Sequence, residues 1–516
     1  SFDNYNVGIG YTAGAAVTTG ARNTIVGGLA ADALTTGVDN VALGYAALSS
    51  DDLGNYNVAI GSQALTSLNF ATATDSFNVA VGRDAGANLT TGTFNTLVGG
   101  QAGDGLQDSD DNVAVGLNAL TTDTLGSRST AIGAAALANQ NFTTATNSHN
   151  VAVGYFAGVS VTTGLQNTLI GGLAGDSLTD ADFNVAIGTS ALGTDTLGSR
   201  SVAIGISALA TQNHTTATDV YNTCVGAIAG TSITDAVRNT IIGGLAGDAL
   251  TSADFNTAVG YGALSSDTLG ERSVAVGYHA LLSQNRTTAS QSNNTAIGFE
   301  AGANVTTGDE NTFIGSSTGH GMTTAHSNVI IGFSCTASSF AGSNQIVIGD
   351  DIVGDSSGTF TFGSSAGTVH NHFGSDATWT RTSDERLKKN ITDTDLGLSF
   401  INDLRTVKYN WKGHHELDTS DKQLEHLFQN KDGSNKTESE NEMETDVTMH
   451  GFIAQEVKAA LDTAGVDDWA GWEEDRFGVQ RISREMFVIP LVKAVQELSS
   501  QVTTLQAEVE KLKSGG

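Results

Sequence analysis

Residues Asn57–Gly61 read NVAIG, and close variants of this pentapeptide begin at twenty positions from Asn6 to Gln345. Successive copies are spaced by 17, 17, 17 and 21 residues, and this set recurs to give a super-repeat of 72 residues. Self-similarity at a fixed period is the signature of a repeat architecture. Five residues rich in β-branched side chains are too few for a helix, so each copy predicts a short strand.

Apolar residues occupy both faces of these predicted strands. The second and fourth positions, such as Val58 and Ile60, point to one face, and the third, such as Ala59, points to the other. A narrow coil encloses one interior only, so the second apolar face needs another surface to cover it. The natural surface is another copy of the same chain. We therefore predict a mainly β fold, a parallel β-solenoid of twenty turns that trimerises along its length.

Two further positions are nearly invariant across the copies. The fifth position is glycine in all twenty copies, which predicts a backbone conformation or a close approach that a side chain would block. Alanine stands seven residues after the start of seventeen copies, which predicts a crowded inward position.

Four extra residues fall in every fourth turn, and they predict a row of equivalent protruding loops. At about 4.8 Å per turn, neighbouring loops would be about 19 Å apart. We expect these loops to contact a receptor. The candidate contact residues are the first two of each loop: Asn69, Phe70, Asn141, Phe142, Asn213, His214, Asn285 and Arg286.

The strand-plus-alanine unit of residues 1–350 resembles the head repeats of trimeric autotransporter adhesins. Those heads form a left-handed parallel β-roll in a trimer, and the resemblance implies the same arrangement here. The period in this chain is longer than the usual one in those heads. The additional residues are therefore expected in outward turns.

The composition changes near residue 380. Residues 1–387 contain nine arginines and no lysine, whereas residues 388–516 contain eleven lysines. The change predicts a shaft over 1–350, a transition segment over 351–382 and a separate domain over 383–516. A net charge of −31 argues against nucleic acid or an anionic membrane as a partner. Because no run of 18 apolar residues occurs, we expect no membrane insertion.

Four motifs mark the last domain: SDERLKKNI (383–391), LGLSFINDLRTVKYNWK (396–412), HGFIAQEV (450–457) and IPLVKAVQEL (489–498). In this order they closely resemble the intramolecular chaperone domain of endosialidases and phage tail fibres. Proteins of that family fold a trimeric β-structured shaft and then cut their own chain with a serine–lysine pair. The resemblance implies a small α+β domain without a cofactor. It also implies Ser383 as nucleophile, Lys388 as base and Thr382–Ser383 as the scissile bond.

The spacing of the proposed pair limits its geometry. A serine hydroxyl needs a base to take its proton, and a lysine can do so only when neutral, a state that nearby positive charge favours. Arg386 and Lys389 would supply such charge. Five residues on a regular helix leave two side chains about 140° apart. Ser383 therefore lies before a helix begins, or the lysine comes from a neighbouring chain; Lys389 is an alternative base.

Simpler interpretations exist for some of these residues. The SDERLKKN segment also fits a helix start with Ser383 as its N-cap. His450 is either an accessory group at the cleavage site or a buried structural histidine. His414 and His415 fall in a polar insertion, residues 413–447, and no further ligand spacing supports a metal site there.

A heptad pattern predicts that the chain ends in a coiled-coil helix. Valine at a and leucine at d alone favour two strands, whereas the family resemblance implies three. The alternative is a single amphipathic helix packed on its own domain. The seam residues are Leu491, Val495, Leu498, Val502, Leu505, Val509 and Leu512.

Together these features predict a viral tail fibre or similar receptor-binding appendage, carried on the virion and assembled in the host cytoplasm. The partners would be two further copies of the chain and a host-cell surface glycan or protein, bound with threefold avidity. The last domain would align the three chains and leave by autoproteolysis, with no other substrate. The alternatives are a glycan-degrading tailspike and a bacterial trimeric surface adhesin.

Overall fold

A computed structural model describes the chain over residues 4–373, 380–381, 385–430, 433–438 and 445–515. The chain divides into two compact units, Ser1–Thr382 and Ser383–Gly516. The first unit is a parallel β-solenoid, and the second is a small α+β region that ends in a long helix.

Each pentapeptide contributes one strand to the solenoid. The strands have three residues in the first eighteen turns and five in the last two, and equivalent positions lie opposite one another, as Val58 does with Val79. The twenty predicted turns are thus confirmed. The strands are Val7–Ile9, Thr24–Val26, Val41–Leu43, Val58–Ile60, Val79–Val81, Thr96–Val98, Val113–Val115, Thr130–Ile132, Val151–Val153, Thr168–Ile170, Val185–Ile187, Val202–Ile204, Thr223–Val225, Thr240–Ile242, Thr257–Val259, Val274–Val276, Thr295–Ile297, Thr312–Ile314, Val329–Phe333 and Ile346–Asp350.

The stack continues beyond the predicted twentieth turn. Thr359–Ser364 pairs in parallel with Ile346–Asp350 and adds a twenty-first strand. Gly367–His372 then pairs antiparallel with Thr359–Ser364, and Thr380–Arg381 pairs antiparallel with Gly367–His372. Part of the expected transition segment therefore belongs to the same sheet as the shaft.

A second, shorter strand pair accompanies each four-residue insertion. These parallel pairs recur every 72 residues, so the super-repeat in the sequence is also a repeat in the structure. The pairs are Gly54–Asn55 with Thr74–Asp75, Gly126–Ser127 with Thr146–Asn147, Gly198–Ser199 with Thr218–Asp219, and Gly270–Glu271 with Ser290–Gln291.

The solenoid interior combines small apolar residues with a ladder of asparagines. The third strand position and the fixed alanine are both buried, as Ala59 and Ala64 show. The first pentapeptide position also points inward. The Oδ1 atom of Asn23 accepts hydrogen bonds from the backbone N–H and the Nδ2 of Asn40, at 2.9 and 3.2 Å. This ladder satisfies polar groups that would otherwise be buried without partners.

The second unit contains four helices and two antiparallel strand pairs, and it has an apolar core of its own. Its core contains Phe400, Val457, Leu461 and Phe487. The helices are α1 (Leu398–Asp403), α2 (Glu425–Phe428), α3 (Ala454–Ala464) and α4 (Val488–Ser514), with 3₁₀ turns at Glu385–Leu387, His414–Glu416 and Arg484–Phe487. The antiparallel pairs are Val407–Tyr409 with Met449–Gly451, and Trp472–Glu474 with Gln480–Ile482.

Candidate functional site

The predicted scissile bond, Thr382–Ser383, lies outside the described residues, and so does its nucleophile. The boundary between the two compact units falls at this same bond. Just beyond it, Glu385–Leu387 forms a single 3₁₀ turn without buried residues. The backbone N–H of Lys388 donates to the carbonyl of Glu385 at 3.0 Å. The helix that the sequence predicts after Ser383 is thus limited to this one 3₁₀ turn, and the next helix begins at Leu398.

The two candidate bases lie at the surface of this unit. Lys388 and Lys389 are both exposed. Burial within one chain therefore does not distinguish them, and the pairing of Ser383 with Lys388 stays a prediction.

His450 is not the buried structural histidine that one interpretation expects. It lies opposite Lys408 in an antiparallel strand pair, and its side chain is exposed because Met449 and Gly451 turn towards the covered face instead. It borders a cavity of about 440 Å³ together with Lys408 and Arg484. A role for His450 in cleavage stays a prediction.

A larger cavity of about 710 Å³ is lined by the strands Val407–Tyr409 and Gln480–Ile482. The Tyr409 ring meets Trp411 edge-on at 5.3 Å, and Arg484 Nη2 donates to the Tyr409 hydroxyl at 3.3 Å. The lining of this cavity is thus aromatic and basic. Sequence analysis did not predict the cavity, because Tyr409 and Arg484 are 75 residues apart.

The described residues contain no cluster of three or more His, Cys, Asp or Glu side chains placed to hold a metal ion. In the same parts of the chain, no helix has the length and apolarity needed to cross a membrane. The ring of His414 instead lies 3.3 Å from the Lys436 ammonium, measured from Nδ1 to Nζ.

The expected receptor loops turn their second residue inward. Phe70 and Phe142 are 5% exposed and His214 is 7% exposed, whereas Arg286 is half-buried and pairs with Asp309 at 2.8 Å. Because the solenoid interior covers these three side chains, the expectation that they touch a receptor is corrected. The exposed loop residues are the asparagines and the three residues after each inward side chain: Asn69, Asn141, Asn213, Asn285, 71–73, 143–145, 215–217 and 287–289.

A buried aspartate holds each of these loops in place. In the second loop, Asp123 Oδ1 accepts hydrogen bonds from the backbone N–H groups of Gly126 and Phe142, at 3.1 and 3.0 Å. Its Oδ2 accepts one from Gln140 Nε2 at 2.6 Å, and Asn150 Nδ2 donates to Gln140 Oε1 at 2.8 Å. Sequence analysis missed this network, although its aspartate recurs every 72 residues: Asp51, Asp123, Asp195 and Asp267.

The first loop departs from this pattern. Leu68 stands where the later loops have glutamine, so Asp51 lacks that side-chain donor. Burial raises the pKa of Asp123, and it raises the pKa of Asp51 to about 6. Hydrogen bonds from backbone N–H groups, including that of Gly54, oppose the rise at Asp51.

The outward strand face stays partly uncovered along the shaft. The second and fourth pentapeptide positions are half-buried or exposed in every turn, and Leu43, Ile132 and Ile297 keep 44%, 38% and 41% of their surface. Contiguous apolar surface of this extent is unusual on a monomer and marks an interaction surface.

The heptad seam of α4 is also uncovered in a single chain. Leu498 and Leu505 are 50% and 59% exposed, whereas α4 buries Pro490 and Ala494 against its own unit. The alternative of an amphipathic helix packed on its own domain is therefore wrong for the seam.

Comparison with known proteins identifies the C-terminal region. Residues 383–466 match the Peptidase S74 family, described as the chaperone of endosialidase. The match confirms the resemblance of this region to an intramolecular chaperone, and this family implies self-cleaving peptidase activity in general. No curated protein and no solved structure matches the chain. The resemblance of residues 1–350 to adhesin heads stays a prediction.

Proposed function

We propose that the chain is a tail fibre or closely related receptor-binding appendage of a virion. Residues 1–382 would form its shaft, and residues 383–516 a chaperone that is later released. The observation that carries the proposal is the position of the family match. The chaperone-of-endosialidase match begins at Ser383, two residues after Thr380–Arg381, the last strand of the sheet that contains the twenty-one parallel strands of the solenoid.

Three chains would associate through their outward strand faces. Isoleucine, valine and leucine recur there in turn after turn and are half-exposed, and no element among the described residues covers them. A cyclic arrangement would bury this face of every chain around one axis, so that no copy of the face would stay exposed to water. The uncovered seam of α4 supports the same assembly at the other end of the sequence.

Release would be a single self-cleavage at Thr382–Ser383. Lys388 would take the proton of Ser383 Oγ as this oxygen attacks the carbonyl carbon of Thr382. The C–N bond then breaks, and the proton passes to the new amine of Ser383. Water hydrolyses the resulting ester, leaving a carboxylate on Thr382 and restoring the hydroxyl. Cleavage would follow folding of the shaft and leave it without its assembly domain.

Receptor binding would then fall to the exposed loop residues. Asn69 and residues 71–73 are exposed, and equivalent polar residues recur every 72 positions on each chain. Single loop contacts would be weak, but three chains with four loops each would bind a host surface glycan or protein multivalently.

Denaturing electrophoresis with mass determination tests the cleavage. The wild type should yield two fragments, the second beginning at Ser383, and Ser383→Ala and Lys388→Ala should stay whole. Lys389→Ala and Ser399→Ala are matched controls that should cut, because each removes a neighbouring exposed side chain of the same type. An intact wild-type chain, after the shaft has formed, would overturn the proposed release. Cutting in Lys388→Ala, with none in Lys389→Ala, would move the base to Lys389.

A further inference from the structure

Two further columns of side chains border the apolar stripe of the shaft. The leading column is the residue directly before each pentapeptide, from Tyr5 to Asn344. Its residues have left-handed φ angles between 48° and 66° in all twenty turns, and none is buried. Side chains in this column stack along the shaft, as the Tyr56 and Phe77 rings do with centroids 4.8 Å apart. The column is therefore an ordered, exposed ladder.

The trailing column is the residue directly after each pentapeptide, from Tyr11 to Asp350. It is also unburied, and the rings of Tyr261, Tyr278 and Phe299 stack along the shaft at 5.8 and 5.2 Å. Residue size varies strongly within this column, from glycine to tyrosine.

The trailing column contains four glycines whose φ angles lie outside the left-handed region, spaced by 72 residues. A Cβ at Gly28, Gly172 or Gly244 would meet nothing nearer than 3.6 Å, so a small side chain would fit there within one chain. Gly100 differs, because its Cβ would lie 3.3 Å from Leu117 Cδ1 and that side chain would have to shift. The set is Gly28, Gly100, Gly172 and Gly244.

In thirteen of the twenty turns a small residue in one column shares its turn with a larger residue in the other, and in six of the remaining turns both residues are large, as Phe77 and Arg83 are. Nine turns have Gly, Ala, Ser or Thr in the trailing column, and in all nine the leading residue is Arg, Tyr, Phe, Gln or Glu. Phe94, for example, shares its turn with Gly100. Conversely, Asp39, Asp111, Asn293 and Ser327 in the leading column share turns with Tyr45, Leu117, Phe299 and Phe333.

This compensation cannot act inside one chain. The leading and trailing residues of one turn are six positions apart in the sequence, and in extended backbone this is a distance of up to about 20 Å. Side chains at the two edges of one strand face are therefore too far apart to contact each other. In a cyclic assembly, however, the leading edge of each chain meets the trailing edge of the next.

We infer that the leading residue of one chain packs against the trailing residue of its neighbour in the same turn, and that this pairing sets the register of the chains. The inference rests on the proposed trimer. The stripe itself cannot set register, because Val or Thr and Ile, Val or Leu recur in nearly every turn. If neighbouring chains were shifted by one turn, small residues would face small residues and leave gaps between the chains. Asp39, Asp111 and Asn293 would then lie opposite Ser62, Ala134 and Ser316.

Cysteine cross-linking with a short bis-maleimide tests the register directly. The pair Glu310→Cys with Ser316→Cys belongs to one turn and should link neighbouring chains into a trimer that survives denaturation. The control pair, Arg238→Cys with Ser316→Cys, is four turns or about 19 Å apart and should not link. Both native cysteines are fully buried, so the wild type should give no product.

The possible outcomes separate this inference from the proposed function. A native trimer in which the same-turn pair fails to link would overturn the register pairing and leave the trimer standing. Linking by the four-turn pair would also overturn it, because that result means a slip of one super-repeat. A native mass of one chain would overturn both.

A packing experiment gives an independent readout. Gly172→Leu should lower the thermal midpoint of trimer dissociation, because Gln166 of the neighbour would fill that space, while the Cβ meets nothing nearer than 4.0 Å in its own chain. Adding Gln166→Gly should restore the midpoint, whereas adding Phe183→Gly, one turn away, should not. Equal rescue by both, rescue by neither, or no effect of Gly172→Leu would contradict the pairing.

Discussion

In the first eighteen turns a glycine follows each strand, because two features of the backbone exclude a side chain at this position. At Gly116 the φ angle is 139°, which L-residues rarely adopt. A Cβ there would also lie 2.5 Å from the carbonyl oxygen of Gly133 in the next turn. The invariant glycine is therefore a condition for stacking turns this closely.

Gly116→Ala should destabilise the shaft by about 1–3 kcal/mol from the backbone conformation alone, and more once the overlap with Gly133 is added. Gly8→Ala is the matched control, because Gly8 lies outside the left-handed φ region and its Cβ would meet nothing nearer than 3.5 Å. Thermal unfolding of the two variants checks this. Equal midpoints for both would contradict the steric explanation.

Asp51 should make the shaft more stable as the solution is acidified. Its folded pKa of about 6 exceeds the ordinary carboxylate value, so the folded state binds a proton before the unfolded state does. The contribution of this proton to the free energy of unfolding is absent at pH 7, grows as the pH falls through 6, and reaches about 1 kcal/mol by pH 5. Denaturant midpoints of wild type and Asp51→Asn at both pH values measure it.

Asp51→Asn removes the titrating group, so it should lack this part of the pH dependence. Other carboxylates titrate in both proteins and cancel in the comparison. Parallel pH profiles for wild type and variant would show that Asp51 does not take up the proton.

Individual residues were predictable only where they repeat with one type. The invariant glycines and alanines followed from periodicity, and both are confirmed. The burial of Phe70 and the exposure of His450 did not follow, because residue type alone does not decide which way a loop or a hairpin face turns. The left-handed leading column was missed, since tyrosine and arginine give no sign of that conformation.

At the level of elements, a strand of three residues is stabilised by its pairing with equivalent strands in neighbouring turns. Each strand pairs with one above and one below, and the antiparallel strand Gly367–His372 follows the last parallel one. The heptad helix α4 was equally predictable from spacing. The network around Asp123 was not, because it joins residues from turns that only the fold brings together.

Leu505→Glu should abolish trimer formation by the full chain and prevent assembly of the shaft. It places a charge in the seam, where the chains would bury this position against one another. Thr504→Glu adds the same charge one residue away, outside the seam, and should assemble normally. Sedimentation velocity of Ser383→Ala carrying either change gives the oligomeric state. Normal trimers of Leu505→Glu would exclude a role for the seam.

At the scale of the whole molecule, the proposed trimer would have to align three chains of similar turns, and the C-terminal domain would limit the ways in which they can align. Twenty similar turns offer many registers of nearly equal apolar contact, and a domain that brings the chain ends together limits them. Once formed, a long shaft without its assembly domain would persist because it unfolds slowly. The family match supports such a domain and places it at residues 383–466, in the region that the sequence motifs also indicate.

The native mass of the uncut Ser383→Ala protein tests this account most directly, because everything above the level of one chain depends on association through the strand face. We expect a single species of three times the 52.9 kDa chain mass, stable to dilution. A soluble, folded protein with the mass of one chain would contradict the account.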